Sequence, residues 1–198
     1  MDKRARNFPD PSVLPGWDAN AFDEANSMQE DIFDIVDEFD NVTGQRPRSE
    51  VHAQGLKHRA VHVMVFNDEN EIFMQKRSTN KDTWPGAWDA SCTGHVDSGE
   101  TYLEAAHREL NEELGWQPSE DLEFLFKLNP SEATGQEFIE IYRVRGSGPF
   151  RLNQEEIEVG EWMNWGSLLE RIEDMPKGFS SAFRVVVKRL QSLGLITA

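Results

Sequence analysis

The sequence predicts an α/β (α+β) domain built on a mixed sheet. Short runs of alternating apolar residues recur between turn residues and read as strands. Two segments, 101–114 and 181–193, repeat apolar residues every three or four positions and read as helices. Strands flanked by a few helices indicate a mixed sheet rather than an all-β or all-α packing.

Residues 1–30 are polar, carry Pro9, Pro11, Pro15 and Gly16, and read as a flexible extension. A short helix near Ala19 to Met28 and an arm for a homodimer are further readings of this segment. The domain itself is assigned to residues 31–198. Ile32 to Asp37 reads as a strand, Asp40-Asn41 as a turn and Val42 to Arg46 as the return strand. Ser49 to Gln54 reads as a short helix. His58 to Phe66 is a strand with Ala60, His62, Met64 and Phe66 on one face, and Asn67 to Asn70 turns it into Glu71 to Arg77. A loop with Trp84, Pro85 and Gly86 leads to a strand over Trp88 to Thr93.

Thr101 followed by Glu104 is a capping box that starts a helix, and Gly115 ends it. Its apolar stripe is Leu103, Ala106, Leu110 and Leu114. Glu123 to Leu128, Glu137 to Arg145 and Glu158 to Trp165 read as strands. Ser167 and Glu170 form a second capping box for a helix over Ser167 to Ile172. The last helix turns Phe183, Val186, Val187, Leu190 and Leu193 inward.

Net charge is −16 across 198 residues. That excludes a nucleic-acid polymer as the main partner, because binding its backbone needs clustered Lys and Arg. It also argues against an anionic membrane surface. A single cysteine, Cys92, forbids an intramolecular disulfide and fits a reducing cytoplasm. No apolar run approaches the length of a membrane span, and the N-terminus lacks the apolar core of a signal peptide.

The chemistry concentrates between Gly94 and Trp116. Glu109, Glu112 and Glu113 fall within an arc of roughly 100° on one helix, beside the apolar stripe. An acid-rich helix face is most often only a solvated face. Here a glycine turn and Glu100 lie just upstream, and a divalent cation would relieve the repulsion among the acids. Hard oxygen ligands favour Mg²⁺ or Mn²⁺. Such ions bind substrate phosphates with a few carboxylates, which points to phosphate-anhydride chemistry.

The same stretch reads Gly, five residues, Glu, seven residues, Arg-Glu, an aliphatic residue, any residue, Glu-Glu, any residue, Gly and a hydrophobe. These are Gly94, Glu100, Arg108, Glu109, Leu110, Glu112, Glu113, Gly115 and Trp116. The segment resembles the Nudix box of the Nudix hydrolases, with Trp116 where an aliphatic residue is usual. The resemblance implies the Nudix α/β/α sandwich with a mixed central sheet. It implies metal binding by Glu100, Glu109, Glu112, Glu113 and the Gly94 carbonyl, with Arg108 as a catalytic residue that orients the acids through an ion pair, Glu100 being its partner.

Similarity over about residues 32–192 extends to the branch that contains isopentenyl-diphosphate isomerase. It is carried by VDEFDNVTG, VHAQGLKHRAVHVMVFN, the stretch from Gln75 to Trp88, and Gly178 to Ser181. That enzyme holds a metal with histidines and glutamates, and His52, His58, His95 and Glu137 match or neighbour those positions. By the same resemblance Lys76, Arg77 and Lys81 hold diphosphate, and Trp84 shapes the pocket. Ordinary surface charge is the alternative for the three basic residues.

Two features oppose isomerisation. The isomerase's catalytic cysteine immediately precedes its Gly-His pair, where this chain has Thr93; Cys92 lies one residue early and so on the opposite strand face. The isomerase box is also degraded, whereas this one is intact.

The expected activity is a cytoplasmic, Mg²⁺-dependent hydrolysis of a nucleoside diphosphate derivative or related organic diphosphate. Glu112 and Glu137 are the alternative bases. Glu137 and Glu140, three apart, face opposite sides of a strand, and Glu137 is the one expected at the site. An isomerase and a non-catalytic nucleotide sensor are the rival readings.

Overall fold

The computed structural model describes residues 30–195. The extension, including the proposed helix near Ala19 to Met28, lies almost wholly outside them. Among the described residues, β1 (Ile32–Val36) and β2 (Val42–Pro47) form a two-stranded antiparallel hairpin. A helix of 7 residues, α1 (Arg48–Gln54), follows and ends on Gly55.

The main sheet contains β3 (His58–Phe66), β4 (Ile72–Arg77), β5 (Trp88–Asp89), β6 (Cys92–His95), β7 (Glu123–Leu128), β8 (Glu137–Arg145) and β9 (Ile157–Met163). β3 lies parallel to β8 along its whole length, while the other pairings are antiparallel, so the sheet is mixed as expected. The β3–β4 hairpin parts after Phe66↔Ile72. β6 then pairs with β3, and β9 with β4.

Helices cover both faces of this sheet. α2 (Tyr102–Leu114) packs Ala105, Ala106, Leu110 and Leu114 against Val61, Val63, Val65, Cys92, Tyr142 and Val144. On the other face, α3 (Trp165–Asp174) and α4 (Ser181–Leu193) pack Trp165, Leu168, Phe183, Val186, Val187 and Leu190 against Ala60, Met64, Phe66, Ile139 and Ile141. The result is the α/β/α sandwich. Because β3 is central, its two faces are both dry; Ala60, His62, Met64 and Phe66 are only one of two buried rows.

Several local expectations change. The strand expected over Trp88 to Thr93 is two strands separated at Ala90-Ser91, where the Ser91 hydroxyl donates to the Phe73 carbonyl at 2.5 Å and accepts from Val65 N–H. α3 begins earlier than Ser167: its cap is Asn164, whose Oδ1 accepts from Ser167 N–H at 2.9 Å, and Trp165 is helical rather than the end of β9. A polar side chain three residues upstream therefore takes the place of the capping box. Leu103 and Leu193 are 44% and 43% exposed and do not join the core. Ala105 takes Leu103's place in α2, because the buried stripe runs closer to the acids than the sequence pattern suggested.

Trp116 is explained by Gly146. A Cβ on Gly146 would sit 2.3 Å from the Trp116 indole, so the ring lies where only glycine leaves room, edge-on to Phe150.

Candidate functional site

α2 starts at a complete capping box, Thr101 with Glu104, and stops at Gly115 in the left-handed conformation. Between them its acids differ sharply. Glu113 is 3% exposed, the Glu109 side chain 12% and the Glu112 side chain 52%. The acids thus run from the sheet surface outward, and Glu113 belongs to the buried layer rather than to a rim.

Arg108 organises the group. Its Nε and one Nη donate to the two oxygens of Glu100 at 2.9 and 2.8 Å. The other Nη donates to Glu109 at 2.8 Å and to Glu112 at 3.0 Å. A further bond at 2.9 Å reaches the His95 carbonyl. One rigid guanidinium fork therefore ties three carboxylates to β6.

Glu113 is held differently. Its Oε2 accepts from Thr93 N–H at 3.0 Å and from the Gln75 amide at 3.1 Å, and no cation bonds it. Burial first, and then the neighbouring carboxylate charge, push Glu109 up to about 8. Burial likewise raises Glu113 to about 7, against the lowering by the Thr93 N–H. Of the two buried acids Arg108 bonds only Glu109, which leaves a deficit of positive charge that fits a bound cation.

Gly94 completes this corner. A Cβ there would meet the Glu109 carboxyl at 1.9 to 2.4 Å, so only glycine lets α2 close on β6. Gly94→Ala is expected to destabilise the fold by about 1–3 kcal/mol through overpacking. Chemical denaturation against wild type checks this.

A second group lies on the opposite side of β6. His52 of α1, His58 of β3, His95 of β6 and Glu137 of β8 bring one ligand atom each to within 4.8 Å of one another. The parallel register sets His58 beside Glu137, and their side chains approach to 3.5 Å. His95 Nε2 lies 3.2 Å from the same carboxylate oxygen. His52 Nε2 and His58 Nε2 are buried without a hydrogen-bonding partner. Burial first, then the other histidines, lowers His52 to about 4, and burial lowers His95. The unpartnered Nε2 atoms of His52 and His58, beside His95 and the Glu137 carboxylate, fit a metal ion of intermediate hardness.

Phe33 of β1, 1% exposed, covers this group. Its ring centroid lies 4.6 Å from His95, 5.8 Å from His58 and 6.2 Å from His52. No motif signalled Phe33, because the stacking depends on where the hairpin folds. The hairpin is fixed by Asp40, which accepts from Arg59 at 2.6 Å and from the Tyr102 hydroxyl at 3.0 Å, and also pairs with Lys127. Glu137 and Glu140 face opposite ways, as alternation requires: Glu140 meets Lys127 and the Tyr142 hydroxyl, while Glu137 meets the histidines. Glu137 therefore joins the histidines and not the α2 acids.

The basic residues all have partners. Lys76 pairs with Glu158 at 3.0 Å, and Lys81 with Glu156. Arg77 donates through Nε and Nη to the Thr83 carbonyl at 3.1 and 3.0 Å, so it braces the loop that carries Trp84. Trp84 is 40% exposed with φ of 51°, an uncommon conformation for a bulky residue.

Cys92 is fully buried beneath α2, and its thiol is raised well above the ordinary value by burial and then by the Glu113 and Glu109 charges. Thr93, paired with His62 in the register, faces the other way.

Comparison with known proteins agrees with this geometry. A family model described as the NUDIX domain matches residues 56–183. "Nudix hydrolase 3" of Arabidopsis thaliana is 37% identical over 150 residues, 69% of this chain, and the match spans only 19% of that longer protein. An uncharacterised Nudix hydrolase of Yersinia pestis is 41% identical over 66% of this chain and 71% of its own. "Isopentenyl-diphosphate Delta-isomerase 2" of Photorhabdus laumondii is 29% identical over 81% of this chain and 93% of its own. Among solved structures, a Deinococcus radiodurans protein superimposes with a TM-score of 0.66 at 33% identity, covering 72% of this chain and 89% of that one. Among the described residues no helix is long and apolar enough to cross a membrane. The chain belongs to the NUDIX domain family, as a Nudix-type hydrolase.

Proposed function

We propose that this protein hydrolyses a phosphoanhydride bond in a nucleoside diphosphate derivative or a related organic diphosphate, with Mg²⁺ or Mn²⁺. One observation supports it above the others: Glu109 and Glu113 are buried side by side with raised pKa values and incomplete compensation by Arg108. Glu109, Glu112, Glu113 and the Gly94 carbonyl would hold the cation. When bound, it would neutralise the phosphoryl oxygens and make an attacking water more acidic.

The chain's own residues do the rest. Arg108 keeps Glu100, Glu109 and Glu112 in one constellation, so the ligands need little reorganisation. Glu112, the most exposed of the three helix acids, is free enough to take a proton from water; Glu137 is the alternative base. Lys76 and Lys81 reach substrate phosphates by exchanging their carboxylate partners; the Lys76–Glu158 pair lies at the surface, where such pairs are worth little, and the Lys81–Glu156 pair is half-buried. Arg77 contributes by bracing its loop.

The rival reading, diphosphate isomerisation, is favoured by the cluster of His52, His58, His95 and Glu137 and by the isomerase relatives. That cluster also suits an additional metal in a hydrolase. Against the rival stands the burial of Cys92 on the α2 face, with Thr93 where a thiol is needed. Cys92→Ala is expected to retain most hydrolysis and to cost about 1 kcal/mol of stability as a small buried cavity. Loss of activity on every accepted substrate in a folded Cys92→Ala protein would revive the thiol mechanism. Hydrolysis in ¹⁸O-labelled water separates the readings directly. The hydrolase must place labelled oxygen in a phosphate-containing product, while the isomerase leaves the diphosphate unlabelled and exchanges hydrogen on carbon.

A further inference from the structure

An open cleft of about 480 Å³ lies between the loop after β4 and the start of α4, lined by Trp84, Ser131, Glu132, Ala133 and Ser181. Its size is that of a small-molecule site. Neither the acid group nor the histidine group lines it.

Three features of this cleft suit a planar ligand. Trp84 presents an exposed indole from a backbone conformation that a bulky residue rarely adopts. Strain of this kind persists where the surroundings hold it, and it gathers at ligand clamps. Here Arg77 holds the preceding Thr83 carbonyl, and the Arg184 guanidinium lies 5.8 Å from the indole centroid. Across the cleft, the Glu132 side chain is exposed and forms no hydrogen bond or ion pair among the described residues, so its two oxygens are free acceptors. Ser131 and Ser181 are small, and their hydroxyls are engaged with the Glu132–Thr134 turn, which keeps that wall in place.

The cleft is tied to the reaction centre by short stretches of chain. Trp84 is three residues from Lys81, whose charge acts on Glu113. Glu132 is five residues before Glu137, and a Cβ at the intervening Gly135 would lie 3.7 Å from the Glu137 carboxylate.

We propose that this cleft is a nucleobase subsite of the diphosphate-binding centre, with the base stacked on Trp84 and its N–H edge donating to Glu132. The proposal rests on the hydrolase reading for its diphosphate, but its carrying residues are different ones. It also chooses between the substrate classes left open above. An alkyl diphosphate would cover the Glu132 carboxylate without offering it a hydrogen bond, and burying an uncompensated charge is costly. A base with adjacent N–H and NH₂ donors, such as guanine, satisfies both oxygens. Uracil presents a single N–H between two carbonyls, which repel the carboxylate.

Calorimetric binding of the α,β-methylene analogues of guanosine and uridine diphosphate, in Mg²⁺, tests this without turnover. Wild type is expected to prefer the guanosine analogue. Trp84→Gly removes the ring and relieves the backbone at once, so folding does not suffer, and it should weaken guanosine binding roughly tenfold. Glu132→Ala should abolish the preference for guanosine over uridine while melting temperature stays unchanged. Equal affinities for the two analogues in wild type, or guanosine-analogue affinity unchanged in both variants, would overturn the subsite. Labelled water that never enters product, with the Trp84 and Glu132 effects intact, would remove the hydrolase and leave the subsite standing.

Discussion

Glu113→Gln lowers turnover by about 10²- to 10³-fold, the range seen when one preorganised electrostatic group is removed, while raising the metal-free melting temperature at pH 8. Both halves follow from one position. Glu113 is 3% exposed, and burial raises its pKa to about 7, so its ionised form is a net cost to the metal-free fold above that pH. Glutamine keeps the shape and one oxygen that accepts from Thr93 N–H and Gln75. It removes the charge that a cation needs. Steady-state assay and thermal melting in EDTA measure the pair. A folded Glu113→Gln enzyme with near-normal turnover would remove Glu113 from the metal site, and a lower metal-free melting temperature would mean its charge is compensated by something other than metal.

Metal-free wild type is expected to lose stability as pH rises from about 5 to 8, and millimolar Mg²⁺ to restore it. Glu109 and Glu113 have folded pKa values raised from 4.5 to about 8 and about 7. A group raised in this way contributes stability that is complete below its unfolded pKa and is lost as pH climbs through the folded one. Their contribution therefore fades between pH 4.5 and 8, and a cation that binds only the ionised native pair cancels the loss. At a hundredfold excess over Kd the gain is about 2.7 kcal/mol, worth roughly 5–10 °C in a domain of this size. Melting curves across pH with and without Mg²⁺ check it. Superimposable curves at pH 8 would show that these buried acids hold no Mg²⁺.

Much of the fold was legible because its elements carry local signals. His58–Phe66, Glu123–Leu128, Glu137–Arg145 and Ser181–Leu193 match the expected bounds, each marked by turn residues or a polar cap at its ends. One misreading came where a non-local partner decided. Ser91 interrupts a strand by bonding Phe73 and Val65, residues distant in sequence. The start of α3 was misread for a local reason: Asn164, three residues before Ser167, is the cap although Ser167 with Glu170 looked the better box. In α2 the spacing located Glu109, Glu112 and Glu113 on one side, but depth depends on how closely the helix meets β6, and Gly94 lets it come near enough to bury Glu113.

The site divided in the same way. The Arg108 network follows from i, i+4 geometry and a nearby loop, so its partners could be named from the chain alone. That Glu137 groups with His52, His58 and His95 was legible only through the family resemblance; the β3–β8 register supplies the physical reason, and Phe33 over them needed the hairpin's docking through Asp40. The opposite facing of Cys92 and Thr93 required only the two-residue period of a strand.

Gly94 and His95 are joined by one peptide, and Arg108 bonds the carbonyl of the second while gripping the acids beside the first. The two groups thus share a hinge-free piece of backbone with no slack between them. Were both groups to take a metal, any influence of one on the other would be equal in both directions by thermodynamic reciprocity. Titrating the histidine side with a transition metal is then expected to shift the Mg²⁺ midpoint by the same factor as Mg²⁺ shifts the transition metal's, and Arg108, which bonds both sides, is the residue whose replacement should reduce that factor.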